Sequence, residues 1–170
     1  MHLKFDSVCS TPSGAAPLDR APIAHVNVST VPDQKYAKPL PQPSPEAARF
    51  WVGCKAHELW LPFCRQCDAF YWFPRDFCPA CGSRDVEWRR SQGKGRVYTY
   101  AIHYRAWHPG WAEEIPYVTA LIDLDDGVRI FTNLIGIEPD PKLIRCDMPV
   151  EVVFDDVTDE ITLPKWRPIA

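Results

Sequence analysis

Cys64 and Cys67, followed by Cys78 and Cys81, form a C-x2-C…C-x2-C pattern, and nothing else in the chain limits its possible folds so tightly. Two residues between the members of a pair let both sulfurs of one tight turn reach a single metal. Two such turns fill four tetrahedral positions. The ten residues separating the pairs are fewer than the commonest ribbon spacing but suffice for a small hairpin. A shared metal replaces the core that so short a segment cannot build. Two disulfides, or four reduced thiols at this spacing by accident, are the alternatives. Paired knuckles in a reducing compartment count against both. Four thiolates leave no open coordination position, so the ion is expected to be structural. Zinc is favoured, although Cys78-Pro79-Ala80-Cys81-Gly82 would also suit iron in a rubredoxin-like site.

The remaining composition narrows the setting. Of seven cysteines, Cys9, Cys54 and Cys146 are left over, too dispersed for a disulfide framework and consistent with reducing surroundings. A net charge of −3 offers no general basic field for nucleic acid. Met1 to Ser10 carries no apolar stretch of the kind a signal peptide needs, and no run approaches the ~18 apolar residues of a membrane span. A cytoplasmic protein without a membrane partner is the expectation.

Four segments follow from the pattern along the chain. Residues 1–43 read as a proline-rich extension or arm, since eight of the 18 prolines precede residue 46 and hydrophobic periodicity is absent. Residues 44–58 read as a helix that runs to about His57. Ser44-Pro45-Glu46 supplies a capping hydroxyl, a proline at the first helical position and an early acid. Ala47, Phe50, Trp51 and Cys54 share one of its faces. The ribbon occupies residues 59–90, with the aromatic run Phe70-Tyr71-Trp72-Phe73-Pro74 between its knuckles. One face of that run is expected to cover the metal and the other to stay exposed. Residues 91–170 change to strand character. Gly93 and Gly95 permit a bulge, and β-rich stretches follow at Arg96–Tyr104, Tyr117–Leu124, Val128–Ile135, Val150–Phe154 and Ile161–Leu163. Asp125-Asp126-Gly127 marks a hairpin turn. The fold class is therefore mainly β: an extension and helix, a rubredoxin-like zinc ribbon, then a five-stranded OB-fold barrel.

The ordered set of residues resembles a known family. It comprises Phe50-Trp51, Leu59 to Cys67, Phe73-Pro74-Arg75, Cys78 to Gly82, Gly93 to Tyr100, Pro116-Tyr117, Leu124 to Gly127 and Thr132-Asn133. It is similar to the zinc-ribbon plus OB-fold proteins that accompany thiolase-like and other acyl-CoA enzymes. Within them it resembles the small subunits of thiolases of the benzoylsuccinyl-CoA type. The resemblance implies a non-catalytic accessory subunit, inert alone, in a hetero-oligomer with a thiolase-like or acyltransferase catalytic subunit. There it would help form or cover the acyl-CoA site, with a CoA thioester as a shared ligand, in aromatic compound degradation. Asp68 departs from the family's pattern, which commonly has glycine after the first knuckle.

Several residues are candidates for contact with CoA or with a partner. Trp107, His108 and Trp111 stand in the long connection between the first two barrel strands, where strand pairing needs no tryptophan and an aromatic face suits adenine, a pantetheine channel or an interface. Arg89, Arg90, Lys94 and Arg96 precede or open the barrel and could meet CoA phosphates, or simply blunt a strand edge. His103 and His108 are acid–base candidates by residue type alone, so no catalytic residue is assigned. Cys54 and Cys146 read as packing residues. The competing function is a nucleic-acid-binding module, because ribbons and OB folds both serve that use; the acidic net charge disfavours it.

Overall fold

A computed structural model describes residues 36–169. The extension is thus described only from Tyr36, and Cys9 lies outside the described residues. A 3-10 turn, Pro45–Ala47, leads into helix α1, Ala48–Lys55. Ser44 occupies the N-cap with an extended backbone, but its side chain makes no capping bond. The Ala47 N–H bonds instead to the Ser44 carbonyl at 3.0 Å, the short-range closure of a 3-10 first turn. The helix also ends earlier than expected. His57 adopts φ +56°, a left-handed conformation that cannot continue a right-handed helix, and the Glu58 N–H folds back to the Gly53 carbonyl at 2.8 Å. Phe50 and Cys54 are buried as the apolar stripe requires.

The ribbon is a three-stranded antiparallel sheet in the order β2-β1-β3, built from β1 (Trp60–Cys64), β2 (Ala69–Phe70) and β3 (Val86–Arg90). Strand β1 serves two cores. Leu61, with Leu59 just before it, packs into one buried cluster with Phe50, Val97, Ile122, Val150 and Trp166, whereas Cys64 at its far end joins Tyr71 and Cys78. The aromatic run does not divide into a covered and an exposed face. Tyr71 is buried beside the cysteines, Trp72 packs on Phe50 with ring centroids 5.1 Å apart, and only Phe73 stands open to solvent.

The remaining strands close a barrel in the order β4-β5-β6-β8-β7: β4 Lys94–His103, β5 Tyr117–Leu124, β6 Arg129–Leu134, β7 Pro149–Asp156 and β8 Thr162–Pro168. Strict alternation along β5 places Val118, Ala120, Ile122 and Leu124 inside, the period that a strand with one wet face demands. The register shift in β4 falls between Val97 and Thr99, not at the glycines. Gly95 serves close approach instead, since a Cβ there would collide with the Asp123 carbonyl oxygen of β5. The seam between β6 and β8 is thin: one parallel pair, Leu134↔Trp166, reinforced by the Thr132 hydroxyl donating to the Pro164 carbonyl at 3.2 Å.

Gly95→Ala should push β5 away from β4 and lower stability by about 1–3 kcal/mol. Denaturant unfolding of the two proteins checks this, and a loss near zero would mean that the β4–β5 pair yields without cost.

Candidate metal centre

Two tight turns bring the four sulfurs together. The first follows β1, the second precedes β3, and all four Sγ atoms lie within 4.8 Å of one another. Cys64 and Cys81 are 3.7 Å apart and Cys67 and Cys78 3.9 Å apart. Four thiolates at Zn–S bonds of ~2.3 Å around one ion sit ~3.8 Å from each other, whereas a disulfide needs ~2.05 Å. The spread therefore fits one tetrahedral ion and neither disulfide. Each knuckle is closed by a residue in the left-handed region: Gly82 at φ +73° after the second and Asp68 at φ +51° after the first. Aspartate is among the few side chains that visit this conformation routinely, so the departure from glycine leaves the turn intact.

Cys64 and Cys78 are buried, Cys67 and Cys81 exposed. The Cys67 N–H points to the Cys64 sulfur at 3.4 Å. The Cys81 and Ala80 N–H groups pull the Cys78 thiol down to about 7, while hydrogen bonding with the Cys81 thiol above all pushes Cys67 up to about 12. A metal must displace these protons, so binding weakens as pH falls. When bound, the ion supplies cross-linking and no open position for chemistry.

The other candidates separate. Trp107 is 74% exposed, whereas Trp111 stacks on Tyr117 at 4.4 Å and Tyr117 in turn on His103 at 4.7 Å. His103 bonds the Thr119 hydroxyl at 2.8 Å, and His108 Nδ1 accepts from the Gly110 N–H at 3.1 Å, capping the 3-10 turn Pro109–Trp111. The four basic residues do not converge. Arg89 donates to Glu87 at 2.6 Å and lies over the Phe63 ring, Arg90 pairs with Glu58 at 3.2 Å, and Arg96 donates to the Asp147 carbonyl at 3.0 Å. Lys94 is exposed on β4. Cys54 is fully buried and burial pushes its thiol up to about 12, which suits packing; Cys146 is exposed.

Two groupings escaped the sequence reading. Lys38, in the proline-rich stretch, has a side chain only 7% exposed. It pairs with Glu114 and lies 4.1 Å from the Trp111 ring centroid. Beside it a cleft of about 260 Å³ is lined by residues including Trp111, Glu114, Tyr117, Ile135, Pro139 and Lys165. Separately, His57 reaches Asp156 at 3.0 Å and stacks on Phe154. Hydrogen bonds from the Thr162 hydroxyl and then His57 hold the Asp156 carboxyl below the usual carboxylate range. Neither grouping has a local sequence signal, because the partners are about 75 to 100 residues apart.

Comparison with known proteins gives this geometry a family. Residues 51–87 match the model of the ChsH2 rubredoxin-like zinc ribbon domain, and residues 88–155 that of the ChsH2 C-terminal OB-fold domain. A solved structure titled Ltp2-ChsH2(DUF35) aldolase superposes with a TM-score of 0.67 at 36% identity, covering 76% of this chain and 98% of the other. The chain belongs to the ChsH2-type DUF35 family. A probable enoyl-CoA hydratase alpha subunit of Thermomonospora curvata is 36% identical over 134 residues, 79% of this chain and 41% of that protein. The benzoylsuccinyl-CoA thiolase subunit BbsA of Geobacter metallireducens is 29% identical over 94 residues, 55% of this chain and 60% of that one. The chain thus spans less than half of the hydratase subunit. The zinc-ribbon and OB-fold expectations hold, and four clustered cysteines in a zinc-ribbon domain support structural zinc. Among the described residues, no helix is long and apolar enough to cross a membrane.

Purified protein should carry about one zinc per chain by elemental analysis. Cys64→Ser, or prolonged chelation, should lower the Tm and open residues 60–90 to protease; an iron-loaded, coloured protein would reverse the choice of metal.

Proposed function

We propose that this chain is a non-catalytic accessory subunit of a thiolase-type acyl-CoA enzyme, docking on the catalytic subunit and helping to form or cover its acyl-CoA site. The observation that carries the reading is the family membership of a ribbon-plus-barrel chain whose clustered thiols are fully used by one closed metal position. The chemistry then belongs to the partner. His103 and His108 are engaged with the Thr119 hydroxyl and the Gly110 N–H, and among the described residues neither shows a hydrogen-bonded carboxylate to orient it as a catalytic base needs.

Relatives named as subunits of a hydratase, an aldolase complex and a thiolase support an acyl-CoA enzyme as the partner. The likeness to the benzoylsuccinyl-CoA thiolase subunit favours a thiolase and an aromatic acyl group. On this reading the partner's own residues cleave or form the carbon–carbon bond. A CoA thioester shared at the junction is the ligand, and the assembly works in the cytoplasm.

Tagged protein recovered from its own cells should bring down a thiolase-type subunit, identified by mass spectrometry. The pair should cleave an aromatic 3-oxoacyl-CoA in the presence of CoA, and the chain alone should not. Activity of the lone chain, or a partner without acyl-CoA chemistry, would overturn the reading.

A further inference from the structure

The connection between β4 and β5, residues 104–116, has a held base, residues 110–114 ahead of β5, and an exposed tip, residues 104–107 leaving β4. At the base, the Lys38 ammonium is enclosed between the Glu114 carboxylate and the face of Trp111. The backbone at Ala37 and Lys38 passes so close to Gly110 that a Cβ there would collide with the Ala37 carbonyl oxygen. Trp111 continues the stack through Tyr117 to His103, which is bonded to Thr119. Residues 36–38 therefore act as a strap that locks the base of the loop onto the barrel. A lysine buried to this degree is retained only with a partner charge, and here it has both a charge and an aromatic face.

The tip is different. Trp107 is 74% and Tyr104 69% exposed, and the Arg105 guanidinium stands 5.2 Å from the Trp107 ring centroid. Two large rings in solvent beside an anchored segment gain nothing for folding. Tryptophan, tyrosine and arginine are the residues that carry most binding energy at protein interfaces, and a ring presented from a locked base loses little freedom on docking.

We propose that Trp107, flanked by Tyr104 and Arg105, is an anchor that enters an apolar pocket of a protein partner. The pocket would carry a carboxylate at its rim for Arg105. The charges decide the class of occupant. Arg105 is the loop's only cationic lysine or arginine, Glu113 and Glu114 follow it, and the chain's net charge is −3. A phosphate backbone or an anionic lipid surface would be repelled, while a carboxylate-rimmed protein pocket matches the single guanidinium at the tip. The inference rests on the proposed function for the identity of that partner, the thiolase-type subunit.

The test uses the full chain and the catalytic subunit that co-purifies with it, titrated calorimetrically. Trp107→Ala should weaken binding at least roughly 30-fold with Tm unchanged, and Trp107→Phe should recover part of the loss. Lys38→Met should raise amide exchange across 105–116 and weaken binding less. Wild-type affinity in Trp107→Ala would overturn the anchor and leave the accessory function standing. Failure to recover any thiolase-type subunit would overturn both. Binding of wild-type protein, but not Trp107→Ala, to phosphatidylglycerol vesicles or to a single-stranded oligonucleotide would reassign the tip to that surface.

Discussion

Tetrahedral closure around four sulfurs is the constraint on which this architecture depends. Around the sulfurs the segment between Cys64 and Cys81 buries only a small cluster, Tyr71 with Cys64 and Cys78, while its Phe70 and Trp72 pack against the main core; the small cluster is too little to offset the entropy of ordering the knuckles. A shared ion supplies that stabilisation from a point. Its effect travels through β1, because the strand that ends in Cys64 carries Leu61, with Leu59 just ahead of it, in the barrel's own core. Metal site and barrel are thus neighbours along a single buried strand.

The barrel in turn depends on a few tight approaches between strands. Close contact of β4 with β5 at Gly95 and alternation along β5 set the inward rows. The β6–β8 seam is joined by one parallel pair and a threonine hydroxyl, and the cleft beside Trp111 includes residues from just beyond that pair. Its rim is shaped from outside the barrel. A buried lysine from the proline-rich stretch fixes Trp111 and Glu114, so a segment with no hydrophobic pattern still takes part in the fold. One charge between a carboxylate and an indole substitutes there for apolar contact.

Family membership and geometry agree on the kind of molecule this is. The four clustered thiols suit one closed metal position, and His103 and His108 are spent on a threonine and a turn. The exposed surface includes several aromatic groups presented outward, among them Trp107 and Tyr104 on the β4–β5 connection, Phe73 on the ribbon and Phe131 on the barrel. That pattern suits a protein that acts by being bound.

What was legible from sequence was local. The knuckle spacing alone implied four sulfurs on one ion, because two intervening residues dictate the reach of each pair. The hydrophobic pattern bounded β5 at Tyr117–Leu124 as observed, and Asp125-Asp126-Gly127 turned as a hairpin should, with Gly127 at φ +83°. Tertiary structure decided the rest. It separated Trp111 from Trp107, although the two share one short loop, and moved the bulge from the glycines to Tyr98. It also buried Lys38 and joined His57 to Asp156. Each of these outcomes depends on which distant residue arrives alongside, and a side chain's burial or partner carries no periodic trace in the chain itself.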